Sequence, residues 1–226
     1  MQPDQAAGAS HEAGVAQARR QLVSCGRDLL DRGLLSQTSG NLSIRVGASA
    51  ILITPSSIPY DQIEPDDIVI TDLDGNLVQG ARYPSSETPL HSMVYRTRPD
   101  ASAIVHTHSP AATTLAILGM PIPAVHYMIA VTRTMEIPVA EYATYGSDEL
   151  ARNVRDAFPA PARAVLLANH GVVTIGSSLG VAASVAESVE TLASLYYRAL
   201  AIGKPQVLTN EQMAEVLAKY RAKEAA

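Results

Sequence analysis

The stretch "AIVHTHSP" (103–110) sets two histidines, His106 and His108, one residue apart at the end of an apolar run. On a β-strand, residues two apart share a face, with their Cα atoms roughly 6.5 Å apart. Both imidazoles can therefore converge on one cation, with Zn–N bonds near ~2.0–2.1 Å. Alone the pair is an ordinary pattern, equally consistent with one core histidine beside one surface histidine. A third histidine shifts the balance. "LLANHGV" (166–172) closes another apolar strand on His170, and Gly171 after it lets a second backbone or a ligand come close. Three histidines at strand ends favour a site with three protein ligands and one open position. That is the catalytic arrangement of zinc, whereas structural sites are closed by four.

Chemistry at such a site needs an acid/base, and Glu87 in "PSSETPLH" (84–91) is the candidate. It is expected in the first turn of a short helix capped by Ser86, where a carboxylate suits the helix dipole. A solvated first-turn glutamate would look the same. Ser85 and Ser86 read as plain caps, yet two hydroxyls with free N–H groups also form an anion pocket. The loops "TSGN" (38–41, with Gly40 and Asn41) and "TPSS" (54–57, with Ser56 and Ser57) add small hydroxyls and permissive backbone. Each is an ordinary turn by itself; together, beside a metal, they suggest a bound phosphate or similar anion. His91, one helical turn beyond Glu87, is expected to give a supporting hydrogen bond and not a metal bond. His11, in a polar stretch, is expected to be uninvolved.

The elements that must carry these residues can be read along the chain. The segment 1–14 is polar, lacks the apolar core of a signal peptide and reads as a flexible lead-in. Helical spacing of Leu22, Val23, Cys25, Leu29 and Leu30 marks a helix over 15–34. "LSIRV", "AILITP", "DIVITD", "AIVHTH" and "AVLLANHGVVTIG" read as strands, interleaved with helices after Ser86, Pro110, Ser147 and Ser178 and with a terminal one near "TNEQMAEVLAKYRAK". Several strand neighbours are joined by short turns such as "LDGN", so a mixed or mostly antiparallel sheet with helices on both faces is expected. The 226 residues carry a formal charge of -5 with mixed signs, which argues against a nucleic-acid surface. No apolar run approaches the ~20 residues of a membrane span. One cysteine, Cys25, permits no intrachain disulfide, so a reducing, cytoplasmic setting is expected, with Cys25 an apolar filler.

"TSGNLSIR", "ILITPSSIPY", "PSSETPLH", "IVHTHSP", "IPAVHYMIA", "EYATYGS" and "NHGVV" occur in the order seen in the class II aldolase/adducin superfamily, and the match resembles most its bacterial L-fuculose-1-phosphate aldolases. The likeness runs over about 16–220. It implies a single three-layer α/β/α domain with a central, mainly antiparallel sheet over 15–226, and a homotetramer with active sites between subunits. It implies that His106, His108 and His170 bind Zn²⁺, other divalent ions such as Mn²⁺ or Co²⁺ being alternatives. Glu87 would ligate the resting metal and then act as acid/base. Gly40, Asn41, Ser56, Ser57, Ser85 and Ser86 match a pocket for the phosphate of dihydroxyacetone phosphate. Tyr127 matches a proton donor that reaches the neighbouring subunit's site, and Tyr145 an aromatic residue on the aldehyde side. The implied activity is a zinc-dependent lyase that cleaves a ketose 1-phosphate to dihydroxyacetone phosphate and an aldehyde.

Two departures fall on the aldehyde side. "VTRTME" (131–136) replaces a glycine-containing turn and brings Arg133 to a loop expected near the substrate, and Lys223 stands where a tail tyrosine is usual. Superfamily members that decarboxylate keto or hydroxyaromatic acids are an alternative, because Arg133 could seat a carboxylate. Pentulose-phosphate 4-epimerases, which usually have Asp in place of Glu87, follow. Non-enzymatic adducin-like domains lack the full histidine set, and a zinc hydrolase would need motifs not found here.

Overall fold

The computed structural model describes residues 3–224, with side chains described over 12–222. Chain order is α1 (Pro3–Asp31), β1 (Asn41–Val46), β2 (Ala50–Ile53), β3 (Val69–Asp72), β4 (Leu77–Gln79), α2 (Thr88–Thr97), β5 (Ala103–Thr107), α3 (Pro110–Ile117), β6 (Ile122–Pro123), β7 (Glu136–Ile137), β8 (Val139–Ala140), α4 (Asp148–Ala157), β9 (Ala164–Leu167), β10 (Gly171–Gly176), α5 (Leu179–Ile202) and α6 (Asn210–Glu224). Eight strands form the central sheet in the order β4-β3-β2-β1-β5-β10-β9-β8. Every pair in it is antiparallel except β8 with β9. The expected three-layer, mainly antiparallel architecture is the one observed.

Strand alternation sorts the core into layers. Ile104 of β5, with Val173 and Ile175 of β10, packs against Leu90 and Val94 of α2 and Leu150 and Val154 of α4. Val105 and Ala103, pointing the other way, join Leu42 under α1 and α5. Further along that second face, Leu166 and Val172 meet α3, α5 and Met213 of α6. His106 shares the parity of Ile104, so it belongs to the α2/α4 face.

Some local expectations shift. The first helix begins at Pro3, well before the expected start near 15, so the polar lead-in is helical from there. Its Ala, Gln and Glu residues favour helix without any apolar stripe, and Pro is tolerated in a first turn. His11 and Lys223 lie outside the residues whose side chains are described. Cys25 is half-buried on α1, and burial together with nearby Asp28 pushes its thiol up to about 12. No helix is long and apolar enough to cross a membrane, among the described residues.

The loop that carries His108 is anchored from a distance. Ser109, at the N-terminus of α3, makes no side-chain capping bond. Instead Glu190 of α5 accepts from the backbone N–H groups of Ala111 and Ala112, at 2.8 and 2.9 Å. Replacing it, Glu190→Ala, should lower stability in urea titration by about 1–2 kcal/mol, the worth of a charged cap. An unchanged midpoint would show the cap to be dispensable.

Candidate metal centre and adjoining cleft

Three adjacent strands set the site. Asn41 of β1 is paired with His106 of β5, which is paired on its other side with Val173 of β10. His108 follows two residues on, and His170 sits in the β9–β10 hairpin just after Asn169, whose φ is 55°. Among the described residues these three histidines form a group able to hold a metal ion, with all ligand atoms within 4.8 Å of one another. His106 Nε2 is 3.0 Å from His108 Nε2.

Gly171 makes this convergence possible. A Cβ there would stand 2.4 Å from the Thr107 carbonyl oxygen and 2.9 Å from the His108 ring. Gly171→Ala must therefore push β5 or both rings aside. The expected loss in zinc affinity is about 10–100-fold, the usual effect of disturbing a ligand's support, measured by competition with a chromogenic chelator. Unchanged affinity would mean that the strands part without moving the imidazoles.

Glu87 completes the cluster. It caps α2 itself, in place of the expected Ser86, because Thr88 is the first residue with helical bonding. Its Oε2 is 2.9 Å from His106 Nε2, and its Oε1 is 3.2 Å from His170 Nε2. Oε1 is buried and has no hydrogen-bond partner. Burial would raise this carboxyl, but His106 and His170 outweigh it and hold the group far below the usual carboxylate range. Conversely, burial would lower His106, yet Glu87 raises it above its ordinary value. His108 is pushed down to about 3 by burial and by repulsion from His106 and His170, so it is neutral.

The donor set fits a divalent cation. His106 Nδ1 donates to the Val172 carbonyl at 2.9 Å, which in the neutral ring leaves a lone pair on Nε2. That lone pair faces a carboxylate oxygen and a second imidazole nitrogen. Acceptors so close repel unless a proton or a metal cation lies among them. Three imidazoles, one of them oriented by a backbone carbonyl, and a carboxylate are a donor set suited to a divalent metal ion.

A cleft of about 340 Å³ opens beside the histidines. "TPSS" and "YPSS" lie side by side through a bridge between Pro55 and Pro84, which brings Ser56, Ser57, Ser85 and Ser86 to one wall. Gly40, at φ 81°, lets the "TSGN" loop cross β5; a Cβ there would be 2.6 Å from the His106 carbonyl oxygen. Tyr142 and Tyr145, both exposed, also line the cleft. The described lining contains neither Lys nor Arg. An anion entering it would meet hydroxyls, N–H groups and the positive end of α2.

Not every expected residue faces this cleft. Tyr127 opens a 3-10 helix (Tyr127–Thr132) and lines a separate, apolar hollow of about 600 Å³ with Met128, Val131 and Tyr220. Arg133 is also outside the cleft within the chain; its charge acts on Asp100, at the far end of β5 from the histidines. The expectation of an arginine beside the substrate is thus not met by the chain's own fold. Asn41 borders the cleft, but its amide is engaged: Nδ2 donates to Glu87 Oε2 at 2.9 Å and Oδ1 faces His91 Nε2 at 2.5 Å. His91, buried and pushed down to about 3 by burial and by His106, plays the supporting part expected of it. Ser43 and Tyr95, which extend this chain of contacts, went unremarked in the sequence. The signal for them is a four-residue repeat, Glu87, His91, Tyr95, matched to a two-residue repeat, Asn41, Ser43.

Known proteins resemble the chain in sequence and fold. A family model described as "Class II Aldolase and Adducin N-terminal domain" matches residues 20–197. A 5-methylthioribulose-1-phosphate/5-deoxyribulose-1-phosphate aldolase of Rhodospirillum rubrum is 42% identical over 203 residues, covering 90% of each chain. An L-fuculose phosphate aldolase of Haemophilus influenzae is 40% identical over 206 residues, covering 91% of this chain and 94% of that one. Among solved structures, an L-fuculose 1-phosphate aldolase superposes with a TM-score of 0.87 at 43% identity, covering 91% of this chain and 96% of the other.

Proposed function

We propose that this chain, which belongs to the class II aldolase family and is a lyase of it, splits a ketose 1-phosphate into dihydroxyacetone phosphate and an aldehyde. The observation that carries the reading is the meeting of three histidines and a buried carboxylate beside a wall of serines. His106, His108 and His170 would hold Zn²⁺, with Glu87 as a further ligand at rest; Mn²⁺ or Co²⁺ would fit the same donors. When bound, the ion acts as a Lewis acid that steadies negative charge on the ketose oxygens.

The chain's own groups do the rest. Ser56, Ser57, Ser85 and Ser86, with the backbone at Gly40, hold the phosphate and so keep the reacting carbons in place. In the condensing direction the Glu87 carboxylate removes a proton from C3 of dihydroxyacetone phosphate, and that carbon attacks the aldehyde carbonyl. Tyr127 of a neighbouring copy donates a proton to the aldehyde oxygen. Cleavage is the reverse. This division of labour requires at least two copies sharing a site, and a homotetramer with sites between subunits, each subunit contributing one catalytic domain over 15–226, is the assembly proposed. A cytoplasmic enzyme acting on a phosphorylated sugar fits the charge and cysteine usage.

On the aldehyde side, the two cleft tyrosines favour a substrate whose far end is uncharged and apolar. We assign 5-deoxy- and 5-alkylthio-pentulose 1-phosphates as the preferred class, ahead of fuculose 1-phosphate. The two classes are also the ones named for its relatives. The test is a coupled assay of dihydroxyacetone phosphate release from 5-deoxyribulose, 5-methylthioribulose and fuculose 1-phosphates, with and without chelator. Chelator-sensitive release, fastest from the 5-substituted pentuloses, is expected. No release from any would overturn the aldolase reading. Ser85→Ala should raise KM about tenfold or more, since hydrogen bonds to a charged group contribute about 1.5–3 kcal/mol.

A further inference from the structure

The hydrogen bonds behind Glu87 run in one direction. An ionised carboxylate only accepts, so Asn41 Nδ2 donates to Oε2 and Asn41 Oδ1 is left as acceptor. The atom facing Oδ1 is His91 Nε2, at 2.5 Å, which must therefore carry the ring proton. His91 Nδ1 then accepts from the Ser43 hydroxyl at 2.6 Å, and Ser43 Oγ accepts from the Tyr95 hydroxyl at 2.8 Å. Each link determines the next. Ser43, His91 and Tyr95 are buried, and none of the three lines the cleft.

The elements are spaced for this ladder. Glu87, His91 and Tyr95 stand four apart on one face of α2, about 6 Å of rise per step. Asn41 and Ser43 stand two apart on β1, about 6.6 Å per step, so the rungs match. A seam needed only for packing would be apolar. Buried polar groups in a row are tolerated because each is satisfied, and a satisfied network holds one arrangement rigidly.

We propose that Asn41 and His91, backed by Ser43 and Tyr95, are positioning residues that hold the Glu87 carboxylate in a single orientation beside the histidines. The inference deepens the aldolase reading and rests on it for its kinetic test. His91→Leu and Asn41→Leu lower kcat about 10–100-fold, as loss of a ligand's supporting partner does. His91→Leu, away from the cleft, leaves KM, and inhibition by inorganic phosphate, unchanged. His91→Gln, which keeps a donor near the Nε2 position, recovers most of the rate. The double variant is no slower than the slower single one, because both break the same ladder.

Weaker phosphate inhibition and a raised KM in Asn41→Leu, with kcat retained, would make Asn41 a phosphate ligand and overturn the proposal. So would a His91→Gln variant as slow as His91→Leu. Nitrogen NMR of the wild-type histidine rings tests the ladder independently of turnover: His91 protonated at Nε2 supports it, and protonation at Nδ1 overturns it. Should wild type release no dihydroxyacetone phosphate from any ketose phosphate, the aldolase reading fails alone. The ladder is then judged by that NMR result and by Zn²⁺ affinity, which falls in His91→Leu and not in His91→Gln if Glu87 is held as described.

Discussion

Glu87→Gln is expected to keep the fold and one metal ion per chain while kcat falls about 10²–10⁴-fold, the range lost with a general acid/base. The substitution preserves shape, and an amide oxygen can still accept from Asn41 Nδ2, as Oε2 does at 2.9 Å. What disappears is the basic lone pair that moves a proton at C3. His106 and His170 keep the carboxylate ionised despite its burial, so it stands in the proton-accepting form. Two measurements decide the matter. Metal content by elemental analysis should stay near one per chain, and exchange of the C3 hydrogen of dihydroxyacetone phosphate in deuterated water should cease. Full turnover in the variant would remove Glu87 from the chemistry.

The second large effect concerns the histidines. His108→Ala, or dialysis against a strong chelator, should lower activity by about 10³-fold or more, since a Lewis acid contributes several kcal/mol. Chelated wild type should recover with Zn²⁺, and His108→Ala should not. Metal should also raise the melting temperature of wild type, because it binds the folded state and not the dispersed ligands. The pH dependence has a definite sign. Ligands must be deprotonated to bind. His108, held at about 3, offers protons no foothold near neutrality. His106, raised above its ordinary value by Glu87, holds a proton more readily than a free imidazole in the metal-free protein. Metal affinity should therefore rise with pH through the His106 value and fall below it. Affinity that does not change with pH would contradict the coupling of His106 to Glu87 on which the site is built.

Much of the site was legible before any fold was known. Strand alternation alone puts His106 and His108 on one face, and Gly171 after His170 marks a close backbone approach that the structure contains at 2.4 Å from a virtual Cβ to Thr107. Serine pairs in "TPSS" and "YPSS" announced a polar wall, and short turns announced the antiparallel sheet. These are local properties of backbone period, turn residues and cap residues. They survive in any fold that keeps the elements.

Other features depend on which elements lie side by side. Asn41 was legible as a loop amide near an anion, yet its pairing with His106 turns it toward Glu87 and His91. Tyr127 and Arg133 follow the metal motif closely in sequence, but a 3-10 helix carries them away from the cleft of their own chain. Glu190 reads as one acidic residue on a long helix, and only docking of α5 on α3 makes it a cap.

By itself, then, the amino-acid order determined the chemical kinds present and the faces of each strand on which they stand, because those follow from covalent geometry within a few residues. Only the tertiary structure decided which group touches which. Strand register and helix docking are settled by burying the apolar faces of the whole chain at once, and the polar ladder from Tyr95 to Glu87 takes its partners from that outcome.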